Sequence, residues 1–140
     1  MHLSLFFRIL ALGSIAAASP VSTDSLLSQG GSFYYQGELK KSLDSYAHAV
    51  RLSSTTAEAW LNGAVILEEM GRPREAVQWY ERAFALDSDA DVLNALAWAR
   101  FRAGDLKKAR AGFEQVLPRK PDHGYALLGL ARVELNENHP

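Results

Sequence analysis

Catalysis and metal binding need proton-exchanging, nucleophilic or ion-holding side chains brought to one place. This chain offers four histidines, His2, His48, His123 and His139, and no cysteine. No two histidines share a helix face at a spacing of three or four, so the usual ligand spacing of a metal site is missing. Glu68 and Glu69 are adjacent. They leave a helix on different sides, as a solvated edge and not an acid–base pair. No glycine-rich loop follows a strand pattern to cradle a phosphate. No nucleophile stands beside a base. The residues therefore predict no enzyme, no cofactor and no metal. Lys107, Lys108, Arg110, Arg119 and Lys120 form a weak basic patch, but 15 basic residues face 16 acidic ones across the chain. That balance argues against a nucleic-acid partner, which calls for a basic face.

The informative spacing lies in the small residues. Gly30, Ala64, Ala97 and Ala131 are 34, 33 and 34 residues apart. Gly37, Gly71, Gly104 and Asn138 keep the same period, as do Tyr46, Tyr80 and Phe113. A period of about 34 residues with two helical stretches per unit marks a helical repeat array. The unit over about residues 57–89 is the cleanest. Trp60, Ala64 and Leu67 share one face of a first helix, and Thr55 with Glu58 reads as its capping box. Gly71 ends that helix in the left-handed conformation. Pro73 then opens a second helix, where a missing N–H costs nothing. Ala76, Tyr80 and Ala83 face inward, with Tyr80 filling the space between hairpins.

The flanking units repeat this logic. Helices are expected over Thr23 to Gln36 and Leu39 to Leu52, with Ser42, Tyr46 and Ala49 inward. They are expected again over Ala90 to Ala103 and Leu106 to Leu117, with Ala109, Phe113 and Val116 inward. A last helix, Gly124 to Asn136, should turn Leu127, Leu130 and Ala131 inward and hinge at Asn138. The paired glycines Gly30 and Gly31 predict an irregular first helix, since each costs about 1 kcal/mol against alanine.

With Trp60 and Ala64 in a first helix, Ala76, Tyr80 and Ala83 in a second, and a closing Pro121, the chain resembles the tetratricopeptide repeat family. The resemblance covers about residues 23–138. It implies an all-α, right-handed superhelical array of antiparallel helix pairs, a TPR-like α-solenoid. The repeats fall at about 23–56, 57–89 and 90–123, with a partial unit over 124–140. In this family the first helices line a concave groove that holds a protein or peptide partner. The resemblance places Leu27, Tyr34, Leu61, Asn62, Val65, Asn94, Trp98, Phe101, Arg102 and Leu128 in that groove. Trp98 reads either as a contact anchor or as packing on a neighbouring helix. Asn62 and Asn94 read either as partners of a peptide backbone or as a solvated face. Some members clamp the terminal carboxylate of chaperone tails. The cation positions of that clamp fall here on Leu27, Gly31, Asp91 and Ala95, which cannot pair with a carboxylate.

Residues 1–18 carry Arg8, an apolar run from Ile9 to Ala18 and small residues before Pro20. These are the parts of a secretory signal peptide, with cleavage expected after Ala18 and a short linker over 19–22. The run is half the roughly 20 residues a membrane span needs, so no stable span is expected. An uncleaved anchor and a terminal core helix are the alternatives. The functional expectation is an exported interaction scaffold, secreted or periplasmic, in cell-envelope or secretion-system assembly. The alternatives are a structural subunit that self-associates weakly through its last half-repeat, and a chaperone for a secreted subunit.

Overall fold

The computed structural model describes residues 19–139. The expected leader, residues 1–18, lies outside them. Seven helices and no strands occupy the described residues: α1 Thr23–Tyr35, α2 Leu39–Leu52, α3 Ala57–Glu69, α4 Pro73–Leu86, α5 Ala90–Arg102, α6 Leu106–Val116 and α7 Gly124–Asn138. They pair as hairpins, α1 with α2, α3 with α4 and α5 with α6, and each hairpin packs on the next. The all-α array expected from the periodicity is what forms. None of these helices is long and apolar enough to cross a membrane.

The hairpin turns follow from glycine. Gly37, Gly71 and Gly104 have φ of 75°, 72° and 87°, a region that a side chain disfavours. After Gly71, the Arg72 N–H returns to the Leu67 carbonyl at 2.8 Å, which closes the end of α3. Pro73 then starts α4 at its first position.

The core runs the length of the stack as three linked clusters. Leu26, Ala49, Val50 and Ala59 join the first hairpin to the second. Ala64, Leu67, Ala76, Tyr80, Leu96 and Ala99 join the second to the third. Leu93, Ala97, Ala109, Phe113, Val116, Ala126 and Val133 join the third to α7. Tyr80 is 1% exposed and fills the space between α3, α4 and α5 as its size demands. Its hydroxyl donates to Glu68 Oε2 at 2.9 Å.

Four expectations need correction. First, α1 is a continuous helix despite its glycine pair. The Tyr46 ring lies where a Gly30 side chain would stand, 2.7 Å from an added Cβ, and the Ser42 hydroxyl donates to the Gly30 carbonyl at 2.8 Å. Packing thus offsets the propensity cost. Second, α3 is capped at Thr56 with no side-chain bond. The capping box sits instead at α1, between Ser22 and Ser25. Third, Asn138 is the last residue of α7, and among the described residues no non-glycine residue has positive φ. Fourth, α7 turns a different face inward. Ala126, Gly129 and Val133 pack on the third hairpin, with the Phe113 ring seated on Gly129. Leu127 and Ala131 are exposed and Leu130 is half-buried. Those residues would face a second helix of the unit, and no such helix follows α7 among the described residues.

Candidate protein-binding groove

The helices α1, α3, α5 and α7 open their units, and side-chain contacts across them recur at the repeat distance. The Tyr34 hydroxyl of α1 donates to Glu69 Oε1 of α3 at 2.7 Å. Arg102 of α5 pairs with Glu68 of α3. Arg132 of α7 lies over the Trp98 ring of α5, 5.9 Å from its centroid. The pairs join residues 35, 34 and 34 positions apart. The sequence period therefore reappears as lateral contact along one face of the stack.

At the first-unit end this face holds a cleft of about 350 Å³ between α1, α2 and α3. Leu27, Tyr34, Asn62 and Val65 line it, four of the groove residues expected from sequence. Gly31, Tyr35, Tyr46 and Glu58 line it as well. Glu58 precedes Asn62 by four residues, one turn along α3, and that spacing is the signal that could have placed it in the groove. Tyr46 comes from α2 and reaches the cleft by lying across Gly30, where an added Cβ would stand 2.7 Å from its ring. At Gly31 an added Cβ would make only ordinary contact, 3.8 Å from the Tyr46 hydroxyl. Negative charge colours this end. The Tyr34 hydroxyl is held above its usual pKa by its hydrogen bond to Glu69 and then by that charge. Tyr46 is raised by burial first and by the Glu58 charge second.

The other expected groove residues sit differently. Leu61 is half-buried against the core around Ala64 and Leu67. Phe101 is half-buried against the third cluster. Trp98 is half-buried and packs on its neighbours. Its ring meets Phe113 at 5.3 Å and Phe101 at 5.7 Å, edge to face. Arg102 covers it at 5.7 Å. The Trp98 Nε1 and Asn94 Oδ1 atoms are buried and have no partner among the described residues. Leu128 of α7 is 50% exposed. The face is thus acidic and aromatic around α1 and α3, and carries guanidinium groups toward α5 and α7.

Outside the groove, no three His, Asp or Glu side chains among the described residues converge as for a metal. Asp44 and His48, four apart on α2, line a shallow cleft with Lys41 and Phe33. His123 has a structural task. Its Nδ1 accepts the Ala126 N–H at 3.3 Å as the N-cap of α7, so the proton resides on Nε2, which donates to Asp91 at 3.1 Å. Lys120 Nζ reaches the same carboxylate at 2.7 Å. These bonds, from Lys120 and then His123, hold Asp91 below the usual carboxylate range.

A family model described as the tetratricopeptide repeat matches residues 11–91 and 94–138. An Arabidopsis thaliana protein, "Protein CTR9 homolog", is 30% identical over 105 residues, which is 74% of this chain and 10% of that protein. The chain therefore spans about a tenth of that curated relative's length. Two solved structures share the fold. The first TPR of Spaghetti (RPAP3), bound to the HSP90 peptide SRMEEVD, has a TM-score of 0.77 at 20% identity, covering 84% of this chain and 94% of that one. MamA has a TM-score of 0.80 at 22% identity, covering 86% of this chain and 71% of that one.

Proposed function

The chain belongs to the tetratricopeptide repeat family, and on that premise we propose that it holds an extended segment or helix of a partner protein along the face formed by α1, α3, α5 and α7. The observation that carries this reading is the cleft of about 350 Å³ on that face, walled by Leu27, Tyr34, Asn62 and Val65. Apolar walls with a few fixed polar groups are what a peptide side chain needs. A structure of similar fold holds a peptide, the HSP90 segment SRMEEVD. A carboxylate-clamping mode does not fit this chain. Leu27, Gly31, Asp91 and Ala95 stand at the cation positions, and Lys120 and His123 already engage Asp91.

The test is a random-peptide library displayed against the full chain, followed by affinity measurements on Val65→Arg. Val65 is 36% exposed at the cleft, so arginine there blocks the site without entering the core. Selected peptides should lose at least about tenfold in affinity, ~1.4 kcal/mol. Peptides that bind the variant as tightly as the parent overturn the reading.

We place the scaffold outside the cytoplasm, secreted or periplasmic, on the leader pattern of residues 1–18. Intact mass of the protein from its native cells should show loss of those residues. A mature chain that keeps Met1 contradicts export. A second reading rests on α7, where Leu127 is 49%, Leu135 60% and Tyr125 70% exposed. Such apolar exposure suits weak self-association, although the buried Val133, at 0% exposure, takes no part in it. Sedimentation that stays monomeric at high concentration removes this reading.

A further inference from the structure

The cleft between α1 and α3 has a chemistry narrower than that of a general apolar groove. Its lining includes three tyrosines, Tyr34, Tyr35 and Tyr46, and one ionisable acid, Glu58, with no Lys, Arg or His. Tyr34 and Tyr35 stand edge to face, with centroids 5.8 Å apart and planes at 62°, so they form two walls of an open corner. Tyr35 is 90% exposed and presents its ring to whatever enters. Glu58 lies in the first turn of α3. It has no ion-pair partner among the described residues. Glu69, beside the cleft, already accepts from Tyr34.

Aromatic faces and a free carboxylate together attract a cation. A leucine or phenylalanine would fill the space but leave Glu58 uncompensated. An acidic side chain would be repelled. Leu27 and Val65 supply an apolar floor along which a long aliphatic stem can lie.

We infer that this cleft takes a basic side chain, lysine or arginine, of the bound partner segment, with the stem on Leu27 and Val65 and the cationic head between Glu58 and the tyrosine rings. The inference rests on the groove reading above and adds the partner's charge to it. The chosen segment is therefore one with a basic residue at this end of the groove. Toward the α5 and α7 end, Arg102 and Arg132 make a second basic residue unwelcome.

The test uses the full chain and two small probes, N-acetyl-lysine N-methylamide and its neutral counterpart N-acetyl-norleucine N-methylamide. Titration is followed by NMR at the Gly31 amide and the Asn62 side-chain amide. The lysine probe should shift both signals saturably and bind about fivefold more tightly than the neutral probe. Glu58→Gln should erase that difference. Tyr35→Leu, at an exposed site, should weaken the lysine probe while leaving the helical circular dichroism unchanged. Equal binding of the two probes, or an undiminished preference in Glu58→Gln, overturns the inference. Its failure is separable from failure of the groove reading. Library peptides that bind and are blocked by Val65→Arg, without preferring Lys or Arg, leave the groove standing and the cation site refuted. A lysine probe bound at Gly31 while Val65→Arg leaves peptide capture intact gives the reverse.

Discussion

Trp98→Ala separates a residue that packs from one that waits for a ligand. Truncating a fully buried tryptophan costs about 3–5 kcal/mol. Trp98 is half-buried, which brings the packing loss to about 2 kcal/mol. Arg102 and Arg132, both exposed, each add about 0.5 kcal/mol of cation–π attraction. Nε1 has no partner, so no hydrogen bond is lost. The expected destabilisation is about 3 kcal/mol. It should concentrate in α5, α6 and α7, because each unit of such an array is stabilised by its neighbours. Urea unfolding by far-ultraviolet circular dichroism measures it, and Trp98→Phe, which keeps an aromatic contact with Phe113, should lose less. A loss below about 1 kcal/mol refutes the packing assignment. It would return Trp98 to the set of presented groove residues.

Three further outcomes follow from the same contacts. Gly30→Ala should destabilise the chain although alanine is the better helix former, because its Cβ would meet the rigidly packed Tyr46 ring at 2.7 Å; overpacking of this kind costs about 1–3 kcal/mol. A stabilised variant in thermal unfolding contradicts that packing. Tyr80→Phe should cost about 1.5 kcal/mol by removing the donor to Glu68, and urea titration checks it; an unchanged midpoint means the bond contributes nothing. Asp91 is depressed by Lys120 first and His123 second. Its stabilising contribution is therefore present above the ordinary carboxylate pKa of about 4 and disappears as pH falls through the lower folded value. Asp91→Asn should flatten the stability profile in that acid window, and an unchanged profile contradicts the pairing.

The helix pairs were legible because each boundary has a local cause. Gly37, Gly71, Gly104 and Pro73 end or open helices by backbone geometry alone, and Tyr46, Tyr80 and Phe113 bury themselves by size and period. The misreadings of Gly30 and of the α7 face fall where a non-local partner decides. Gly30 reads as a weak point until the ring of Tyr46, sixteen residues on, is placed on it. The inward face of α7 depends on which helices surround it, and periodicity assumed a neighbour absent from the described residues. In the groove, Leu27, Tyr34, Asn62 and Val65 follow from helix projection. Tyr46 does not, because it crosses from a second helix over Gly30. Trp98 shares the groove face with them, and only its contact with Phe113 shows how much of it is packing.

The most direct measurement is an NMR map of the full chain saturated with a library-selected peptide. The account predicts that the largest backbone shifts fall on the shared face of α1, α3, α5 and α7, centred on Gly31, Asn62 and Val65. Shifts confined to the outer helices α2, α4 and α6 would contradict it.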